Sequence, residues 1–191
     1  EIKKYVPSST GIFDVMPTMT GYTNESITVF ASSEFSNTTG AVWHLFDDVK
    51  ATDANDAWFT ANGTISAKIT IDFGIGNEKI INKYTLTCTA RSNSANRMAK
   101  TWKLKGSNDN INFVDLDTRS NEINWGLGEK REYTFNNQNA YRYYQLDISA
   151  NNGHTGYTEI AEMELFEFVS SRWQTVGIAP VTKSMFDQHG M

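Results

Sequence analysis

The 191-residue sequence predicts an all-β, antiparallel sandwich or barrel. Three features carry that expectation. Apolar and polar residues alternate with period two in many short segments. The connections between those segments are rich in Asn, Gly, Ser and Asp. Finally, no segment sustains the i, i+3, i+4, i+7 spacing of an amphipathic helix.

The alternation is cleanest in Ala67-Lys68-Ile69-Thr70-Ile71-Asp72-Phe73, where every odd position is apolar and every even one polar. This places Ala67, Ile69, Ile71 and Phe73 on the core face, because a one-residue slip would turn all four to solvent. Residues 83–90 repeat the pattern with Tyr84, Leu86, Cys88 and Ala90 on one face. Further strands are expected at 27–31, 101–105, 131–135, 143–149 and 163–168. Short helical stretches fit only near 41–50 and 183–188. The stretch "KTWKLKGSNDNINFVDLDT", residues 100–118, reads as two strands joined by a turn of Gly106, Ser107, Asn108, Asp109 and Asn110. Such residues tolerate positive φ or bond their own backbone.

The domain is expected to span 22–168. Residues 1–21 hold two of the three Pro with little alternation and read as a lead-in, and 169–191 as a connector to further domains. A start at Glu1 rather than Met fits a piece of a longer protein.

Composition narrows the function classes. Apolar residues reach 39% and aromatic ones 13%, enough for a packed core of this length. The formal net charge is −5 and the basic residues are scattered, which argues against a nucleic-acid partner. No apolar run is long enough for a membrane span. The single cysteine, Cys88, excludes an internal disulfide and reads as a small buried residue. The three His lie too far apart for a zinc spacing.

Catalytic and cofactor motifs fail in turn. "FGIGNEK" has a G-x-G after a strand, yet the third Gly is missing and a strand follows where a phosphate-binding helix N-terminus is needed. Asp53-Ala54-Asn55-Asp56 lacks the sixth-position Gly and twelfth-position Glu of an EF-hand. Asp115 and Asp117 form a carboxylate pair beside a strand, more often a solvated strand end than an acid–base pair. An enzyme is the least expected class.

The order "ASSEF … AVWHLFDD … AWFT … ISAKITIDFG … KIINKYTLTCTAR … KTWKLKGSNDNINFVDLDT … YRYYQLDIS … IAEMELFEF" resembles the discoidin, or coagulation-factor type C, domain over residues 22–168. That family belongs to the galactose-binding-like jelly rolls and includes many bacterial carbohydrate-binding modules. The resemblance implies an antiparallel jelly-roll β-sandwich and a non-catalytic module for cell-surface glycans. By the same resemblance, Arg91 and Asn96 would bond sugar hydroxyls, helped by Phe59, His154 and Tyr157 and by Glu34 of the first loop. Arg97 lies beside them. The alternative for Arg91 is a surface charge at a strand end, while Trp43, Trp58 and Trp102 read as packing residues. Phe59-Thr60 stands where galactose-binding members carry a sugar-bonding His, so a galactose-type axial-hydroxyl contact does not carry over.

The resemblance also implies a structural calcium ion. Asp47 and Asp48 of "FDD" match the family's metal loop, with Asp48 where Gly is usual. Glu162 matches the closing Glu, and Asp56 is a further ligand candidate. Residues 179–191, "APVTKSMFDQHGM", resemble segments of tail and fibre proteins of bacteriophages, which would place the module on a virion or another extracellular protein. Two other classes remain at this stage: a protein- or lipid-binding adhesion domain, with Trp125-Gly126-Leu127-Gly128 as its apolar loop tip, and a structural spacer of a virion tail.

Overall fold

Every period-two segment named above contains a strand in the computed structural model, which describes residues 3–6, 11–49, 52, 55–169 and 172–175; the segment 83–90 is strand only to Thr87, and Ala90 is exposed beyond its end. Two units are distinguished along the chain. Residues 13–167 form one. Residues 1–12 and 168–191 form the other, which contains the antiparallel pair β1 (Lys3–Val6) and β14 (Arg172–Thr175). The segment 183–188 lies outside the described residues.

A six-stranded sheet runs in the order β3-β4-β6-β11-β8-β9. Its members are β3 (Thr23–Asn24), β4 (Ile27–Ala31), β6 (Ala67–Asp72), β11 (Tyr143–Asn151), β8 (Ala99–Ser107) and β9 (Val114–Arg119). A second sheet of four strands has the order β10-β7-β13-β2, from β10 (Lys130–Thr134), β7 (Ile81–Thr87), β13 (Glu162–Val169) and β2 (Gly11–Asp14). All strand pairs with a described register are antiparallel.

The two sheets meet through one core. Ile69, Leu146 and Leu104 stand opposite one another across β6, β11 and β8, and Tyr84 and Leu86 of β7 face Leu165 and Met163 of β13. All seven are buried in a single apolar cluster, as are Ala67, Ile71 and Phe73, so the register expected from the alternation is the one observed. Lys68 is exposed on the opposite face. Thr70 shares that face but is covered, and its hydroxyl accepts from Gln145 Nε2 at 3.0 Å on the neighbouring strand. Trp58 and Trp102 are fully buried and Trp43 packs against the core from one side. Residues 13–21 also belong to the larger unit; Met19 is buried in its core.

The hairpin of residues 100–118 is β8 and β9, and its Gly106 has a steric reason. A Cβ there would stand 2.6 Å from the Tyr141 ring. The helical possibility at 41–50 becomes a 3-10 helix, Val42–Phe46. Among the described residues no helix is long and apolar enough to cross a membrane.

At one end of the six-stranded sheet the strands lead into the loops 60–66, 91–98 and 152–158. The β8–β11 register shifts between Ile148 and Asn151, just before the third of these. A small two-stranded pair, β5 (Trp58–Phe59) with β12 (Glu159–Ile160), closes the same end.

Candidate functional site

Glu159 lies on the two-residue strand β12 and is fully buried, a costly place for a carboxylate unless it is paired. Four side chains meet that need. Arg91 Nη2 donates to both carboxylate oxygens at 2.9 Å, and Arg97 Nη1 donates to Oε2 at 2.9 Å. Thr89 and Ser94 hydroxyls donate to Oε1 at 2.7 and 3.3 Å. The backbone joins in, since the Glu159 amide donates to the Arg97 carbonyl at 3.0 Å. One buried anion therefore fixes two guanidinium groups side by side.

Aromatic rings surround them. Arg91 lies over the Phe59 ring at 5.0 Å and Arg97 over the Tyr157 ring at 5.8 Å. Tyr157 meets Phe35 and Phe59 edge to face, at centroid distances of 5.9 and 6.4 Å. Phe35, Thr39, Phe59, Arg91, Arg97 and Tyr157 line an open cleft of about 210 Å³. Phe35 is half exposed, so its ring is open to a ligand in the cleft.

Local backbone chemistry holds each wall. Gly40 has φ +78°, and a Cβ there would come within 2.9 Å of the Phe59 ring, so glycine is what lets Phe59 lie where it does. The Phe59 amide donates to the Gly40 carbonyl and the Phe35 amide to the Phe59 carbonyl. Tyr157 is placed by its neighbours. Asn151 Nδ2 donates to the carbonyls of His154 and Tyr157, while His154 Nδ1 accepts from the amides of Gly156 and Tyr157 at 3.0 and 2.9 Å. The His154 ring stacks on Tyr157 at 5.4 Å.

The six residues expected at a sugar site thus fall into two groups. Arg91, Phe59 and Tyr157 line the cleft. His154 supports Tyr157 from behind, and Asn96 is exposed and ties the same loop through its carbonyl, which accepts from the His154 amide at 3.1 Å. Glu34 is engaged elsewhere: it accepts from the Tyr22 hydroxyl at 2.9 Å and from the Val42 amide at 2.6 Å, anchoring the 3-10 helix. Phe35, Thr39 and Glu159 were not anticipated. No periodicity marks Glu159, because a two-residue strand is too short to show one. Arg91 is also more than a charge at a strand end, since its guanidinium neutralises a buried carboxylate.

Of the four expected metal residues, Asp47 and Asp48 lie near Glu162. Asp47 Oδ2 lies 2.7 Å from His44 Nδ1 and its Oδ1 accepts from the Val49 amide at 2.9 Å. Asp48 adopts φ +58°, a left-handed conformation that Asp tolerates and that suits the family's usual Gly; its carboxylate accepts from the Thr18 hydroxyl. Glu162 is pushed up to about 9, first by burial and then by hydrogen bonding and repulsion from Asp47. Its Oε1 is buried without a partner. Two carboxyl groups in contact with an orphaned oxygen need either a shared proton or a cation. Among the described residues, no three His, Cys, Asp or Glu side chains are grouped to hold a metal, so backbone carbonyls or water would have to complete any coordination. Asp56 shares no hydrogen bond with the other three among the described residues.

The loop Trp125-Gly126-Leu127-Gly128 does not present its tryptophan. Trp125 is buried under the Arg131 guanidinium at 4.1 Å, leaving Leu127 as the exposed apolar side chain there.

Comparison with known proteins agrees with this architecture. Among solved structures, the module CpGH89CBM32-5 of Clostridium perfringens, in complex with GalNAc-β-1,3-galactose, superposes with a TM-score of 0.56 at 22% identity, covering 73% of this chain and 94% of its own. The family 32 carbohydrate-binding module of Clostridium perfringens NanJ, in complex with galactose, gives 0.57 at 16% identity over 74% and 94%. Chitosan-binding module 1 from a chitosanase/glucanase of Paenibacillus sp. IK-5 gives 0.56 at 20% identity over 73% and 94%. At these identities the likeness establishes the fold. No curated protein matches the chain in sequence. The family model of the F5/8 type C domain matches residues 28–163, well over half of the sequence, and the chain belongs to that family.

Proposed function

We propose that this domain is a non-catalytic carbohydrate-binding module whose sugar sits in the cleft of Phe35, Thr39, Phe59, Arg91, Arg97 and Tyr157. One observation carries the reading: three aromatic rings enclose two guanidinium groups that a buried carboxylate holds in place. A pyranose has an apolar C–H face and a rim of hydroxyls. Rings serve the first, and fixed N–H donors serve the second without paying for reorganisation. Structural neighbours whose names record galactose, GalNAc-β-1,3-galactose and chitosan support the class of ligand, while their variety leaves the sugar open.

Calcium is the structural partner we propose for Asp47 and Glu162, with Asp48 on the same loop. The orphaned Glu162 oxygen beside a second carboxyl fits a hard divalent cation, which would supply the missing positive charge. Asp56 is the weaker member of the set. The module acts where glycans are displayed, on an extracellular or virion-tail protein; the likeness of residues 179–191 to phage tail segments is the ground for the virion. The lipid-binding alternative loses its tryptophan tip, since Trp125 is buried.

A glycan array probed with purified protein tests the reading, with and without calcium. Binding that Tyr157→Ala weakens supports it. A blank array under both conditions overturns it.

A further inference from the structure

We infer that the cleft selects an acidic sugar, one carrying a carboxylate or a sulfate ester, over its neutral counterpart; the inference rests on the cleft being the sugar site. Its basis is a charge imbalance built into the site. Two guanidinium groups, Arg91 and Arg97, line the cleft, and one carboxylate, Glu159, lies buried behind them. The remaining lining residues, Phe35, Thr39, Phe59 and Tyr157, carry no carboxylate. Among the described lining residues the cleft therefore keeps one uncompensated positive charge, in a protein whose formal net charge is −5.

The donors are also unevenly used. Glu159 engages only Nη2 of Arg91 and only Nη1 of Arg97. The other terminal nitrogen of each guanidinium makes no hydrogen bond to described residues, and each Nε is buried without a partner. Both arginine side chains are mostly buried, at 25% and 20% exposure, so water screens their charge less than on an open surface. A neutral hydroxyl would accept one hydrogen bond from such a fork. An anionic oxygen pair accepts charge-assisted bonds from both arginines and balances the cleft. The rings around them suit the rest of the sugar ring.

The test is a titration series by NMR or calorimetry with the methyl glycosides of galactose and glucose, the matching uronic acids, and the matching 6-sulfates. An acidic member should bind about tenfold tighter than its neutral partner, the margin by which a charge-assisted hydrogen bond exceeds a neutral one. The ratio should shrink as salt rises. Whether the uronic acid or the sulfate leads identifies the acidic group. Arg97→Gln leaves Arg91 paired with Glu159 and brings the cleft to neutrality, so the acid-to-neutral ratio should fall to about one. Thr39→Asp supplies the same charge change from the rim and should give the same collapse if Arg97→Gln melts early.

Equal binding of acidic and neutral partners by the parent overturns the acidic preference and leaves the sugar cleft standing. A preference that survives both substitutions places the anion contact elsewhere and also overturns the inference. No binding by any member of the series, with a blank glycan array, removes the sugar reading together with it.

Discussion

Arg91 reaches both oxygens of the Glu159 carboxylate through one nitrogen, Nη2, at 2.9 Å, and Glu159 is fully buried. Binding face and core are joined at this pair. Removing the anion would leave two mostly buried guanidinium groups side by side without their shared counter-charge. Glu159→Gln should therefore cost about 3–5 kcal/mol of stability, the range for breaking a buried ion pair from one side. Thermal or urea unfolding measures it. Arg91→Lys keeps the charge but loses the fork, and should cost about 1 kcal/mol while weakening glycan binding. It is the cleaner probe of binding, because Arg91→Ala would confound lost recognition with lost stability. A Glu159→Gln variant as stable as the parent would show that Glu159 is dispensable to the fold.

The arrangement shows which levels of this structure are written locally. Strand period and turn chemistry are local, so β4, β6, β8 and the β8–β9 hairpin can be read directly from alternation and from Gly106 to Asn110. Arg91, Phe59 and Tyr157 could be picked out only through family order, since nothing in their own neighbourhoods marks them. Glu159 and Phe35 are different again. Their roles arise when loops distant in sequence converge, with Arg91 and Glu159 separated by 68 residues, and no spacing rule reports that. Glu34 sits in the right loop, but its carboxylate is spent on Tyr22 and Val42, whereas Asn96 is exposed and only its backbone carbonyl ties the loop.

Tyr157 gives a second expectation. Its ring forms one wall of the cleft and meets Phe35, Phe59 and Arg97. Tyr157→Ala should weaken glycan binding by about 1–2 kcal/mol through lost ring contact and leave the order of preferred sugars unchanged. His154→Phe keeps a ring behind Tyr157 but removes the Nδ1 acceptor of two backbone amides, so it should loosen the loop and weaken binding less. Array profiles of both variants check this. A changed sugar order in Tyr157→Ala would assign the ring a selective role.

Cys88 is buried, and burial, followed by the charge of Glu159, pushes its thiol up to about 11. The thiolate is the reactive form, so the native protein at pH 8 should react with a thiol reagent many times more slowly than the protein in denaturant. Rapid labelling of the native state would show that β7 opens at its end.

The carboxyl pair of Asp47 and Glu162 provides the last test, and its sign can be worked out. Folding raises the Glu162 carboxyl from its ordinary value of 4.5 to about 9, mainly by burial. Between those values the folded protein holds more protons than the unfolded chain, so stability falls as pH rises from about 4.5 towards 9 in the absence of a cation. Calcium takes the place of the proton. Its binding at pH 7 should release protons, grow tighter with rising pH, and raise the melting temperature most at the alkaline end. At a hundredfold excess over its Kd, mass action gives about 2.7 kcal/mol. Glu162→Gln should flatten the pH dependence and abolish the response to calcium, because it removes the ionisable group while keeping its size. Melting curves from pH 5 to 9, in saturating calcium and in chelator, separate the cases. Coincident curves for the parent at pH 8 would mean that these two carboxyls share a proton and hold no metal.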